Sequence, residues 1–127
     1  MDNRKRILLV EDDPDIMRAN THIFRSEGYS MVTAGSLAEA LSRLDTNSPD
    51  VIILDLKLPD GNALDILPEI KKKTNAPVLI LTAMIEQEDR LAGLRAGGDD
   101  YITKPYDIDE LCARVYAFTH CDELHDS

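Results

Sequence analysis

The sequence contains no long hydrophobic run, which excludes a membrane-spanning helix among its apolar segments. A transmembrane helix needs about 18 or more consecutive apolar residues, and no run here approaches that length. The first apolar run, residues 7–10, is too short for the core of a signal peptide and ends in three acidic residues. We therefore expect a protein that stays in the cytoplasm and has no membrane partner.

Cysteine is also scarce, which argues against a disulfide framework. The two cysteines, Cys112 and Cys121, lie near the C-terminus without a pattern of metal ligands around them. This usage is typical of a reducing compartment, so we interpret both as ordinary thiols.

Positive charge is in short supply, with 14 lysines and arginines against 24 aspartates and glutamates and a net charge of −10. Nucleic-acid binding needs clustered basic side chains. The one basic run, residues 71–73, is typical of the solvated end of a helix. We expect nucleic acid to be contacted only through a domain outside this chain. The acidic surplus is compatible with a cation site.

The sequence does contain a regular series of short apolar runs. Residues 7–10, 51–54, 78–81 and the segment around 101–103 are typical of strands buried on both faces, and a weaker strand lies at 31–33. Segments with helical periodicity separate them. Five alternations of strand and helix predict one α/β domain with a parallel sheet and helices on both of its faces.

Capping residues mark where the helices begin. Asp13, Ser36 and Asp107 are candidate N-caps, each just before an apolar stripe of helical spacing. Pro68 interrupts the third stripe, so we expect that helix to start late or bend. A fourth helix is predicted around Leu91.

Chemically capable residues follow four of these strands. Glu11 and Asp12 follow the first strand, Asp55 the third, Thr82 the fourth and Lys104 the fifth. Ligands of open parallel sheets bind outside the carboxyl ends of the strands, so we expect these side chains to meet at one edge.

The residue types at this edge suit phosphoryl chemistry. Carboxylates with waters and phosphate oxygens are what Mg²⁺ prefers, and an aspartate can attack phosphorus. Taken alone, Thr82 could be satisfied by backbone and Lys104 could be a surface lysine. Asp55 is harder to explain in that way, because an acid after four aliphatic residues is costly without a partner.

At these residues the sequence resembles the receiver domain of two-component response regulators, from Ile7 to about Phe118. The motifs are residues 10–13, 55–61, 81–83 and 101–105. The resemblance implies a flavodoxin-like (βα)5 receiver fold whose five-stranded parallel sheet has the order 2-1-3-4-5. It assigns residues 1–121 to the receiver domain and 122–127 to a C-terminal tail or the start of a linker.

The resemblance also implies a metal site and a phosphorylation site. Asp12 would bind Mg²⁺ directly and Glu11 through water, with the carbonyl of Lys57 as a further ligand. Asp55 would be both a ligand and the residue that accepts a phosphoryl group from a histidine kinase. The domain would thus be a phosphoacceptor that catalyses its own phosphorylation and dephosphorylation, rather than an enzyme with a separate substrate.

Further residues would hold the phosphoryl group and report its presence. Thr82 and Lys104 would bind it, together with the backbone N–H groups of Lys57 and Ala83. The bond before Pro105 would be cis. Thr82 and Tyr101 would form the switch that alters the surface of the fourth helix, fifth strand and fifth helix.

Five charged residues resemble positions in the winged-helix transcription factor branch, the OmpR/PhoB type. In that branch such residues form salt bridges across a homodimer that assembles on phosphorylation, and the output is a DNA-binding domain. The alternative interpretation is solvated surface charge, for which exposed pairs contribute about 0–1 kcal/mol. The residues are Arg90, Asp99, Asp100, Glu110 and Arg114.

Three other functions fit the sequence less well. A phosphatase of the haloacid dehalogenase type needs a second aspartate two residues after the nucleophile, where this chain has Lys57. A flavodoxin-type flavin site needs a phosphate-binding loop after the first strand, where three acids would repel a phosphate. A receiver that no longer takes phosphate is disfavoured by the complete residue set.

Overall fold

The computed structural model of the chain describes residues 4–82 and 98–120, without the side chain of Lys57. Its main feature is a sheet of five parallel strands: β1 (Arg6–Val10), β2 (Ser30–Ala34), β3 (Val51–Asp55), β4 (Val78–Thr82) and β5 (Asp100–Thr103). They lie in the order β2-β1-β3-β4-β5. This order confirms the expected fold.

The strands form where aliphatic side chains can be buried on both faces of the sheet. Every residue of β3 and β4 is buried, whereas the edge strand β2 is only partly covered. A short antiparallel hairpin follows β3 and pairs Lys57–Leu58 with Gly61–Asn62.

Four described helices connect or follow the strands: α1 (Pro14–Ser26), α2 (Leu37–Thr46), α3 (Leu67–Lys73) and the C-terminal helix (Ile108–Thr119). The helix predicted around Leu91 lies outside the described residues. Of the four described helices, none is long and apolar enough to cross a bilayer.

The predicted helix starts are confirmed by side-chain caps. Asp13 accepts hydrogen bonds from two N–H groups of the first turn of α1, Ser36 caps α2, and Asp107 caps the C-terminal helix. Pro68 lies in the first turn of α3, where a missing N–H costs nothing, so this helix begins late as expected.

Alternate residues of each central strand point to opposite layers of helices. Ile7 and Leu9 pack with Phe24 of α1 and with Leu111 of the C-terminal helix. Leu8 and Val10 pack on the other face, against the layer that includes α2 and α3. The sheet is therefore covered on both faces, and the polar residues of its three central strands lie at the strand ends.

Candidate functional site

The carboxyl ends of the strands bring together the residues that sequence analysis singled out. Glu11 directly follows β1, Asp55 ends β3, Thr82 ends β4 and Lys104 directly follows β5. The ends are tied together by backbone, because the N–H of Lys104 donates to the carbonyl of Thr82 at 2.7 Å. Distant stretches of chain thus meet at one edge of the sheet.

Three acidic side chains form a cluster at this edge. Carboxylate oxygens of Glu11, Asp12 and Asp55 all lie within 4.8 Å of one another. Glu11 is 2% exposed and Asp55 is 6% exposed, whereas Asp12 is exposed to solvent. Carboxylates this close repel one another strongly, which makes the cluster costly unless a cation shares it.

The energetic cost of crowding these carboxylates is clearest at Glu11. Its Oε1 accepts a hydrogen bond from the N–H of Asp13 at 3.1 Å, but its Oε2 is buried without a hydrogen-bond partner among the described residues. Burial and the neighbouring Asp55 carboxyl raise the pKa of Glu11 to about 7. The site therefore holds a buried carboxylate oxygen that accepts no hydrogen bond from the described residues.

Lys104 supplies the positive charge next to the cluster. Its Nζ donates to Oδ2 of Asp55 at 2.8 Å and lies 3.9 Å from Oε2 of Glu11. Burial lowers the pKa of Lys104, but its hydrogen bond and charge interaction with Asp55 outweigh this, so the pKa lies above its usual value. One ammonium group faces three carboxylates, which leaves an excess of negative charge.

This donor set fits a divalent cation. Mg²⁺ binds a few carboxylates together with waters and phosphate oxygens, and Oε2 of Glu11, which accepts no hydrogen bond from the described residues, is an available acceptor. The fit rests on Glu11, Asp12 and Asp55. Lys57 opens the short hairpin two residues after Asp55, and its carbonyl remains a predicted ligand.

Two of the other predicted site residues lie on β4 and β5. Thr82 is buried at the end of β4, and Tyr101 of β5 is half-buried against the core layer that includes α2 and α3. Their roles as a switch pair stay predictions. The peptide bond between Lys104 and Pro105 is cis. Ala83 lies outside the described residues.

The residues predicted at a dimer interface have partners within the chain. Oδ2 of Asp99 accepts from Nζ of Lys71 at 2.7 Å and from the N–H of Val78 at 2.8 Å. Arg114 forms ion pairs with Asp100 and, at 3.3 Å, with Glu110. Arg90 lies outside the described residues. The salt bridges between two copies therefore remain a prediction.

Two residues near the site were missed by sequence analysis. Asp60 accepts hydrogen bonds from the N–H groups of Leu37 and Ala38 at 2.9 and 3.1 Å, and so ties the loop after β3 to the start of α2. Asn20 donates from Nδ2 to the hydroxyl of Tyr106 at 2.9 Å. An available signal for Asn20 was a polar residue one turn after Ile16, within the apolar stripe of α1.

Comparisons with known proteins agree with this geometry. The sequence model of one family, described as the response regulator receiver domain, matches residues 7–116. The chain is 42% identical over 112 residues to the probable transcriptional regulatory protein TcrX of Mycobacterium tuberculosis. That match covers 87% of this chain and 48% of TcrX. The chain spans about half the length of the curated relatives it matches.

Solved structures with the same fold are similar in sequence as well. The receiver domain of the Francisella response regulator 1452 superimposes with a TM-score of 0.87 at 34% identity, over 94% of this chain and 99% of that one. The response regulator DrrB of Thermotoga maritima, described as an OmpR/PhoB homolog, has a TM-score of 0.84 at 30% identity. This second match covers 94% of this chain and 54% of DrrB.

Proposed function

Because the chain belongs to the response regulator receiver domain family, we propose that it accepts a phosphoryl group on Asp55 from a histidine kinase, in a reaction that needs Mg²⁺. The observation that carries this proposal is the buried Asp55 carboxylate, which accepts a hydrogen bond from the Lys104 ammonium and clusters with two further acids. The proposed nucleophile, the proposed cation ligands and one positive charge thus lie within a single cluster.

The chemical step is a phosphoryl transfer to a carboxylate. An oxygen of Asp55 attacks phosphorus, a new O–P bond forms, and the P–N bond of the kinase phosphohistidine breaks with its electron pair left on nitrogen. Lys104 is close enough to Asp55 to bind an oxygen of the incoming group. The Thr82 hydroxyl and the N–H groups of Lys57 and Ala83 are proposed as further donors.

Glu11, Asp12, Asp55 and the carbonyl of Lys57 would hold the Mg²⁺. When bound, the ion supplies positive charge that offsets the negative charge of the phosphoryl oxygens. The protein's own part is to gather the ligands and to present Asp55 in a fixed orientation against Lys104, because such transfers depend mainly on positioning and charge.

The output is proposed to be control of transcription. Thr82 and Tyr101 would transmit phosphorylation to the surface that includes β5 and the C-terminal helix, and this surface would then form a homodimer. The relatives named as transcriptional regulators are about twice as long as the aligned region, which supports a DNA-binding domain outside this chain. The proposed location is the cytoplasm, with residues 122–127 as a tail or the start of a linker.

The first test is phosphorylation by acetyl phosphate, followed by intact mass. We expect one added phosphoryl group in the presence of Mg²⁺, and none when a chelator removes the ion. Asp55→Asn should block the addition. Asp65→Asn is the matched control, because this exposed aspartate follows the short hairpin in sequence and lies outside the acidic cluster, and it should react like the wild type. Addition to Asp55→Asn would contradict the proposal.

A second test addresses the dimer. Sedimentation of the phosphorylated chain should show two-fold association that is weaker in the unphosphorylated form. Arg114→Ala should reduce this association, since it removes a charge paired with Asp100 and Glu110. A phosphorylated chain that stays monomeric at every concentration would remove the dimer from the proposal while leaving the phosphorylation intact.

A further inference from the structure

A buried amide on α1 is joined to the loop that carries Lys104. Asn20 is 5% exposed, and its Nδ2 donates to the Tyr106 hydroxyl at 2.9 Å across 86 residues of sequence. Asn20 lies one turn before Phe24, which is fully buried in the core. A polar side chain at such a position needs a partner, and Tyr106 provides one.

Tyr106 is held on its ring as well as on its hydroxyl. The ring packs against the core layer that contains Phe24 and Leu111, between the sheet and the C-terminal helix. Tyr106 is also the second residue after Lys104 and directly precedes Asp107, the cap of that helix. The hydrogen bond to Asn20 therefore ties the short connection between β5 and the C-terminal helix to α1.

This connection is the part of the chain that carries Lys104. On one side Lys104 is fixed by its backbone hydrogen bond to Thr82 at 2.7 Å. On the other side the first side chain anchored in the core is Tyr106. A lysine side chain is long and flexible, and that of Lys104 is 27% exposed, so the place of its ammonium depends on how firmly its backbone is held.

We infer that Asn20 and Tyr106 form a positioning pair that holds Lys104 toward Asp55. The inference rests on the proposed phosphorylation of Asp55, because Lys104 is the group that meets the incoming phosphoryl oxygen. Electrostatic stabilisation is strongest when the charged donor is already in place, and small displacements of such a donor reduce the rate. Asn20 and Tyr106 touch neither Asp55 nor Lys104 through a hydrogen bond in the structure, so they are positioning residues.

The test uses two substitutions that remove the hydrogen bond while filling the same space. Tyr106→Phe removes only the hydroxyl, and Asn20→Leu replaces the amide by an apolar group of similar shape. Each should lower the maximal rate of phosphorylation at saturating acetyl phosphate by about two- to tenfold, the range that corresponds to one net hydrogen bond. The double variant should be no slower than either single variant, since both changes break the same contact.

Stability separates positioning from a purely structural role. Each single variant leaves a polar group without its partner and should unfold more readily, whereas the double variant replaces both partners and should regain most of the lost stability. A positioning role predicts that the double variant recovers stability and stays slow. Recovery of the rate together with stability would overturn the inference.

Tyr29→Phe is the matched control. Its hydroxyl is 3.2 Å from Oγ1 of Thr119 in a buried pair, next to the first residue of β2 and so at the opposite end of the strands. The change should lower stability as Tyr106→Phe does and leave the phosphorylation rate at the wild-type value. A wild-type rate in Tyr106→Phe, or an equal loss in Tyr29→Phe, would contradict a positioning role.

A measurement without phosphorylation keeps this inference distinct from the proposed function. The ¹⁵N resonance of the Lys104 ammonium should shift or broaden in Tyr106→Phe and Asn20→Leu, and not in Tyr29→Phe. If the wild-type chain took no phosphoryl group but these shifts occurred, the proposed function would fail and the positioning pair would stand. An unchanged Lys104 resonance in both variants would overturn the pair.

Discussion

The polar residues at the two ends of the sheet differ in how well they are hydrogen-bonded. At the amino ends of the strands, a cleft of about 830 Å³ is lined by residues that include Tyr29, Cys112, Tyr116 and His120. At the carboxyl ends, Glu11 has a buried oxygen without a hydrogen-bond partner among the described residues. This cleft and the unpaired carboxylate oxygen therefore lie at different ends of the molecule.

Several polar groups of the amino end pair with one another. The Tyr29 hydroxyl pairs with Thr119, whose hydroxyl also donates to the carbonyl of Val115 at 2.9 Å. The Tyr116 and His120 rings are stacked with centroids 4.0 Å apart. Burial raises the pKa of the Cys112 thiol to about 11, which keeps it protonated and unreactive near neutral pH.

This difference indicates that the crowded acidic cluster identifies the functional site better than the volume of the cleft does. A cluster of like charges is costly to keep in a folded protein, so its persistence points to a cation and a reaction that use it. The amino end offers space without such a cost. The predictions that follow compare changes at the two ends, from the largest expected effect to the smallest.

Removing the positive charge of the carboxyl end should have the largest effect. Lys104→Met keeps the aliphatic stem but loses the ammonium that lies 2.8 Å from Asp55. We expect phosphorylation by acetyl phosphate to slow by about 100-fold, the scale for loss of one preorganised donor. A phosphorylation rate within twofold of the wild-type rate would show that the reaction does not depend on the Lys104 ammonium at the carboxyl end.

Mg²⁺ should stabilise the fold through the carboxyl end alone. An ion that binds only the folded chain adds about 2.7 kcal/mol to the free energy of unfolding at 100 times its Kd. Urea unfolding with and without Mg²⁺ should show this increment in the wild type and much less of it in Asp12→Asn.

Asp15→Asn is the control for the metal experiment. Asp15 is an exposed acid in the first turn of α1, close in sequence to the cluster but outside it. The Mg²⁺ increment should be retained in this variant. Equal increments in Asp12→Asn and in the wild type would place the ion elsewhere.

A substitution at the amino end should affect stability only slightly and the reaction not at all. Tyr116 is half-exposed and stacks on His120, so Tyr116→Ala should lower the free energy of unfolding by about 1 kcal/mol. Urea unfolding measures the loss, and acetyl phosphate should label the variant at the wild-type rate. A clear loss of phosphorylation would mean that the two ends are coupled.

The smallest expected effect is a change in stability in Asp60→Asn, and this change depends on pH. Hydrogen bonds from the N–H groups of Leu37 and Ala38 lower the pKa of this carboxyl below its usual value. The stabilisation is therefore present above the unfolded pKa, near 4, and is lost as the pH falls through the folded one. Asp60→Asn should be less stable than the wild type at pH 7, with a difference that shrinks in acid. A difference independent of pH would contradict this origin.

Much of the fold could be predicted because its signals are local. Aliphatic runs mark the strands, and a cap such as Asp13 needs only the N–H groups two and three residues later. The site followed from one topological rule, which places Glu11, Asp55 and Lys104 at the same edge. The strand order itself came from the family resemblance rather than from any pattern of residues.

The missed contacts are those that join distant parts of the chain. Asp60 caps a helix that begins 23 residues earlier, and Asn20 meets a tyrosine 86 residues later. Neither pair has a spacing that a local pattern could reveal, because such contacts are set by how the helices pack on the sheet. These contacts needed the three-dimensional structure.

The most direct test of the central claim is to locate the phosphoryl group chemically. The chain would be treated with acetyl phosphate and Mg²⁺, reduced with borohydride to convert an acyl phosphate to homoserine, and digested for peptide mass spectrometry. We predict homoserine at position 55 and its absence when a chelator is present. Homoserine at another acidic residue, or an equal yield without Mg²⁺, would contradict the account.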